Sequence, residues 1–261
     1  MPPESRTIEF HTAAEHGSAS FADRLKRGSV HLWIAVDDGR LGEFTATCEE
    51  VMSPQERQRE LEFRREGDRR LHRMARGLTR TVLSLYADVE PREWTFARDL
   101  AGRPHIAHPP GSTLEFSLSH TPGIVLLLVG SGCALGVDVE SAERCVDVDA
   151  AVSLLGPGEL ADLGSRSGAG RRRRFLEYWT LKEAYAKARS TGLSLPLGRS
   201  DFSIEPDGGV AVTMDPELDA DPGRWRFAVI PPDPGFVAAV AVSPERSESI
   251  PKLEIHSAVD I

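Results

Sequence analysis

Gly136-Val137-Asp138-Val139-Glu140 and Trp179-Thr180-Leu181-Lys182-Glu183-Ala184-Tyr185-Ala186-Lys187 are the two stretches on which the reading of this chain turns. The first reads as the end of a β-strand. Side chains there alternate between faces, so Asp138 and Glu140 point the same way. The second reads as a helix, on which Trp179, Glu183 and Lys187 stack at i, i+4 and i+8. If the strand end meets the helix, three carboxylates gather beside lysines, and that set can hold a hard divalent cation against a polyphosphate. Taken singly, the features are ordinary. Asp-x-Glu alone is a solvated acidic strand end, and Glu183 with Lys187 is a helix pair worth roughly 0.3 kcal/mol.

In combination and order they resemble the signature of the 4′-phosphopantetheinyl transferases, G-V/I-D followed after about forty residues by W/F-S/T-x-K-E-A/S-x-x-K. Further segments extend the resemblance. Phe116-Ser117-Leu118-Ser119-His120 is similar to the family's F-N-x-S-H, and Gly102-Arg103-Pro104 to its G-K-P. Gly192-Leu193-Ser194-Leu195-Pro196-Leu197 is similar to the G-L-S-L-P-L of the longer, surfactin-synthetase (Sfp) type. The departures are Ser117 for Asn and Arg103 for Lys.

The resemblance implies an α+β fold of two similar, pseudo-duplicated halves with the active site in the cleft between them. It implies an enzyme that moves the phosphopantetheine arm of coenzyme A to a serine of apo acyl carrier or peptidyl carrier domains, releasing 3′,5′-ADP. The longer type points to polyketide or non-ribosomal peptide synthesis. On this reading Asp138, Glu140 and Glu183 hold Mg²⁺, with Mn²⁺ as a substitute. Glu183 is metal ligand, general base or both, and Lys187 is the catalytic cation on the pyrophosphate. Ser119 and His120 meet coenzyme A, His120 at its 3′-phosphate, and Arg103 is directed at the nucleotide, where a guanidinium can bind phosphate bidentately. Lys182 points about 100° away from Glu183 on the helix, toward another part of coenzyme A or into a structural role. Arg59 and Arg64 are the first-helix candidates for the 3′-phosphate, against a solvated arginine face as the ordinary alternative. Trp179 reads as core packing rather than as a ligand platform. A different class of reading is a non-catalytic protein that binds coenzyme A or a carrier domain, which has no need of a base. A third is a metal-dependent phosphohydrolase, for which no His-rich cluster or hydrolase motif speaks.

Bulk properties constrain the rest. Forty per cent hydrophobic and 27% charged residues over 261 positions is ordinary soluble composition. The longest apolar run, Ile124 to Val129, is far too short to span a membrane. The N-terminus carries Glu4, Glu9 and Glu15 and no apolar stretch of the secretory kind. Cys48, Cys133 and Cys145 are odd in number and widely spaced, which suits a reducing cytoplasm. A net charge of −9 argues against a general nucleic-acid binder. The expectation is a cytoplasmic monomer with no nucleic-acid or membrane partner.

The acidity is uneven. Residues 53–85 hold nine arginines against five acids, and Arg171 to Arg174 form a run after the Gly164-to-Gly170 stretch. Such faces either solvate helices or meet phosphates and an acidic partner.

Residues 1–28 read as an irregular extension, 29–131 as the N-terminal half, 132–243 as the C-terminal half with the metal site, and 244–261 as a peripheral tail. Ser53-Pro54-Gln55-Glu56 is a capping-box helix start. The helix that follows has a possible break at Gly67 and sets Leu71, Met74, Ala75, Leu78, Val82 and Leu85 on one stripe. Strands are expected over 30–36, 94–97, 114–118, 124–129, 135–140, 202–204, 210–214, 225–230 and 236–242, and helices over 158–163 and 174–188.

Overall fold

The computed structural model describes residues 8–12, 20–37, 42–191, 195–244 and 251–258. The chain forms two compact units. One comprises Met1–Glu9 with Cys133–Pro251, the other Phe10–Gly132 with Lys252–Ile261.

The unit built on residues 10–132 carries a five-stranded sheet. Its order is β1 (Glu9–Thr12), β12 (Lys252–Ser257), β2 (Ser29–Val36), β6 (Ile124–Ser131), β5 (Leu114–Thr121). The β12–β2 pair is parallel; β2–β6 and β5–β6 are antiparallel. Ile124 to Val129, the longest apolar run, is wholly buried in β6, between β2 and the edge strand β5, as an inner strand should be. The capping box forms as read. The Glu56 backbone N–H donates to Ser53 Oγ at 3.2 Å, and the Ser53 N–H donates to a Glu56 carboxylate oxygen at 2.8 Å. It opens α3 (Pro54–Leu61). The break falls at residues 62–65, ahead of Gly67, which lies inside α4 (Glu66–Leu83). The chain turns there because α3 is held to α4 from the side: Arg69 Nε donates to the Phe63 carbonyl, and Arg73 pairs with Glu60. The stripe of α4 packs as expected, with Met74, Ala75, Leu78 and Val82 fully buried against the sheet.

Two expectations fail in this unit. Residues 1–28 are not irregular throughout, since they include β1 and α1 (Phe21–Lys26), which Ser20 caps by accepting from the Asp23 N–H. Nor are residues 244–261 a peripheral tail. β12 lies inside the sheet, and Leu253 and Glu254 are fully buried. Neither segment shows a sustained period; β12, enclosed between β1 and β2, takes its order from the ladder rather than from its own pattern. A further helix, α2 (Gly42–Val51), packs on α4 where Gly77 admits Cys48.

The other unit has a three-stranded antiparallel sheet, β10 (Arg226–Ile230), β11 (Phe236–Pro244), β7 (Cys133–Ser141). It also has the hairpin β8 (Ser200–Ile204) and β9 (Val210–Met214), the short α5 (Pro157–Gly164), and α6 (Gly168–Ala188). α6 begins six residues earlier than its apolar period suggests, and it takes in the arginine run. Ion pairs carry that extra turn and a half: Arg171 to Asp149, Arg173 to Glu177, and Arg174 to Asp162 and Glu177. α6 lies directly on β7 and β11. A Cβ added at Gly136 would stand 2.0 Å from the Ala184 carbonyl oxygen and 2.7 Å from the Ala188 nitrogen.

That contact leaves no room for even one methyl group. Gly136→Ala is expected to lower stability by about 1–3 kcal/mol in denaturant unfolding. It should also displace α6 from β7, so that activity falls further than the folded fraction does.

Candidate active site

The close approach at Gly136 sets the geometry around it. Two residues along β7, Asp138 is buried opposite Ala239 of β11, whose small side chain leaves space beside the carboxylate. One turn of α6 spans Glu183 to Lys187. Lys187 Nζ donates to Asp138 Oδ1 at 2.7 Å and to the Val137 carbonyl at 3.0 Å, so the helix is tied to the strand at the motif itself. Glu140, on the same strand face, pairs with Arg144 and accepts from the Trp179 side chain. Trp179 stacks on Phe175 at 6.4 Å and packs on the edge of the core, with the Arg144 guanidinium 6.0 Å over its ring.

Two of the three carboxylates are raised, each by burial first and then by the Asp138 charge. Glu183 is pushed up to about 7, first by burial and then by the Asp138 charge, with Lys187 opposing. Glu140 is raised by burial and by Asp138. Among the described residues, Glu183 Oε1 is buried with no hydrogen-bond partner. An acidic cluster with an unsatisfied buried oxygen and one lysine fits a divalent cation, since added positive charge would relieve both the repulsion and the orphaned lone pairs.

Lys182 is taken out of the ligand-binding set. It is fully buried and pairs with Glu159 at 3.0 Å. It also donates to Leu197 O, Ser200 O and Ser200 Oγ. Glu159 in turn accepts from the Gly156 and Phe202 N–H groups. This is a staple between α6, α5 and the start of β8, with no donor left for a nucleotide.

In the other unit, Ser119 and His120 lie within β5 rather than beyond it. Ser119 is buried and His120 is exposed, on opposite faces. Arg103 follows Gly102, whose φ is +86°. Its guanidinium donates to the Phe116 carbonyl at 3.3 Å, which anchors it beside β5. Arg59 is exposed, pairs with Glu62 and lies 5.6 Å over the Phe63 ring; Arg64 is exposed. The basic concavity of this unit lies elsewhere. A cavity of about 410 Å³ is lined by Arg76, Arg80, Arg92 and Arg98, with Glu56 and Trp94 among its other walls. Arg80 is held by Glu56, Pro91 O and Trp94 O. The Arg76 Nε is buried without a hydrogen-bond partner among the described residues, and burial together with Arg98 and Arg80 lowers its pKa. Four guanidiniums against one carboxylate leave excess positive charge. The i, i+4 spacing of Arg76 and Arg80 beside the apolar stripe of α4 was the sequence signal for it.

Comparison with known proteins agrees with the motif geometry. Residues 134–241 match the family model described as ACPS, the 4′-phosphopantetheinyl transferase superfamily. A phosphopantetheinyl transferase from Thraustochytrium sp. is 32% identical, over 76% of this chain and 72% of its own length. The 4′-phosphopantetheinyl transferase HetI from Nostoc sp. is 31% identical, over 84% of this chain and 90% of its own. The Sfp transferase of Bacillus subtilis is 27% identical, over 76% of this chain and 86% of its own. The chain belongs to the 4′-phosphopantetheinyl transferase superfamily. In this transferase the glycine and both acids of the first motif, and the glutamate and second lysine of the second motif, come together in one unit. The G-L-S part of the third motif falls outside the described residues.

The raised Glu183 has a sign that can be measured. Its proton is held more tightly folded than unfolded, so its contribution is full below about pH 4.5 and is lost as pH rises through about 7. In chelator, Glu183→Gln should therefore be more stable than the parent above pH 7. The gap should close toward pH 4.5 and amount to no more than about 3 kcal/mol. Millimolar Mg²⁺ should shrink it by stabilising the parent alone. Urea unfolding across pH, with and without Mg²⁺, reads both effects.

Proposed function

We propose that this transferase uses Asp138, Glu140 and Glu183 to hold Mg²⁺ while it passes the phosphopantetheine of coenzyme A to the serine of an apo carrier domain. The observation that carries this is the convergence of three carboxylates, Glu183 and Glu140 of them raised in pKa, at the Gly136 contact between β7 and α6. The serine oxygen forms a new bond to the phosphorus on the pantetheine side of the pyrophosphate. The bridging P–O bond breaks, and 3′,5′-ADP leaves with the electron pair. A bound Mg²⁺ would screen the pyrophosphate charge. Glu183, titrating near neutrality, suits acceptance of the serine proton. Lys187 fixes the orientation of Asp138 and sets a cation beside the site.

The arginine-lined cavity supports a second part of this reading. Its excess charge suits the phosphate-bearing nucleotide end of coenzyme A better than the exposed Arg59 and Arg64 do. The free thiols of Cys48, Cys133 and Cys145 fit a cytoplasmic setting. No described helix is long and apolar enough to cross a membrane. Action as a monomer on polyketide or peptide-synthetase carriers, without nucleic acid, is the reading we carry from the longer-type motifs and the acidic charge.

Asp138→Ala and Glu183→Ala should each cut kcat for carrier loading at least about a hundredfold while leaving the circular dichroism unchanged. Mass spectrometry of the carrier reads the transfer. Near-parental turnover by either variant would remove the central claim.

Arg76→Gln and His120→Ala should raise the KM for coenzyme A several-fold with little change in kcat. Both should matter less with dephospho-coenzyme A, which lacks the 3′-phosphate, and Arg59→Ala should leave both donors unaffected. Equal losses with the two donors would place these side chains away from that phosphate.

A further inference from the structure

The parallel ladder of β12 on β2 sets His31 beside Glu254 and Trp33 beside His256. Residues 254 and 256 share one face of their strand, so two imidazoles and a carboxylate meet inside the sheet. His31 and Glu254 are fully buried and His256 is nearly so. One ligand atom from each lies within 4.8 Å of the other two. None of these residues belongs to the transferase motifs.

The separations decide between two accounts of the cluster. His31 Nε2 lies 3.5 Å from Glu254 Oε2, and His256 Nε2 lies 3.7 Å from the same oxygen. Both exceed the 2.7–3.2 Å usual for an N–H···O hydrogen bond. They are close to the edge of a coordination tetrahedron, about 3.4 Å for ligands about 2.1 Å from zinc. The surroundings fit the same account. His31 Nδ1 lies 2.8 Å from the Tyr86 hydroxyl, which leaves Nε2 facing the cluster. The Tyr86 oxygen also accepts from Trp33 Nε1 at 2.8 Å. Metal-bound histidines are commonly held through their other nitrogen in this way. Arg24 Nε, 3.0 Å from Glu254 Oε2, orients the carboxylate. Trp33 stacks on His256 at 4.6 Å, and Phe21 meets His31, His256 and Trp33, closing an aromatic wall around the group.

The geometry points to a transition-metal site, best suited to Zn²⁺, formed by His31, Glu254 and His256, which clasps β12 to β2. Two imidazoles and one carboxylate with a fourth position open is a donor set zinc accepts, and hard Mg²⁺ is poorly served by it. The site is distinct from the carboxylate cluster on β7 and α6. Its role is structural, because a metal held by residues from both ends of this unit's chain couples its binding to folding.

The test uses the full chain carrying Asp138→Ala and Glu183→Ala, so that the catalytic carboxylates cannot answer for the result. Chelator-treated protein is titrated with Zn²⁺ by calorimetry and with Co²⁺ by its visible ligand-field absorption. One equivalent should bind, with a tetrahedral Co²⁺ spectrum and a rise in Tm. His31→Gln and His256→Gln should each weaken binding at least about tenfold and abolish the spectrum, without altering Mg²⁺-dependent transfer in the otherwise unmodified enzyme. If His31→Gln does not fold, His256→Gln decides alone. Failure of the chelated protein to bind either ion, or equal binding by parent and histidine variants, overturns the site.

Discussion

The missing side chain at Gly136 is the constraint on which the catalytic unit rests. With no Cβ there, the backbone of α6 comes within van der Waals reach of β7. That distance is what lets a side chain as short as aspartate meet Lys187 across the gap. Any larger residue would push the helix outward, and the same displacement would draw Glu183 and Lys187 away from the strand. The glycine of the first motif and the glutamate and lysine of the second are thus parts of one packing requirement. A strand face supplies two carboxylates and a helix face supplies the third, and only a contact this tight superimposes them.

Two lysines separated by five positions on α6 meet different surroundings. Lys182 is buried with Glu159 and surrounded by backbone and hydroxyl oxygens. Breaking such a pair leaves an uncompensated charge in the interior, a loss of about 3–5 kcal/mol. Lys187 sits at the motif surface with its donors on Asp138 and Val137. The burial that raises Glu183 also raises Glu140, so the site holds its negative charge reluctantly. A group poised in this way serves either to bind a cation or to take a proton, and the staple at Lys182 keeps the helix that carries it from moving.

Much of this was legible in the sequence because it is local. The capping box at Ser53 and Glu56, the apolar stripe from Leu71 to Leu85, and most strand cores follow from patterns a few residues long. Asp138, Glu140, Glu183 and Lys187 were legible because strand and helix periods set which side chains share a face. Lys182 stayed open between a ligand contact and a structural role for the opposite reason. Its face is correct, yet which partner fills the space beyond it depends on α5 and β8, 20 or more positions distant on one side and 18 on the other. β12 escaped notice because its six residues alternate weakly and its place is chosen by a parallel ladder more than 200 residues away. The early start of α6 escaped notice because ion pairs to Asp149 and Asp162, not apolar period, hold its first turns.

The polar groups buried in each unit follow one rule applied with different outcomes. Arg80 donates to a capping carboxylate and two carbonyls, which offset its burial and make it a structural pin. Arg76, one turn earlier, faces the same Glu56 but shares it with Arg80 and Arg98. One carboxylate cannot neutralise three guanidiniums, and the charge left over makes the cavity positive. On β7 and α6 the imbalance has the other sign, with three carboxylates set against Lys187 and the Arg144 partner of Glu140. The two sets are local imbalances of opposite sign, each within its own unit.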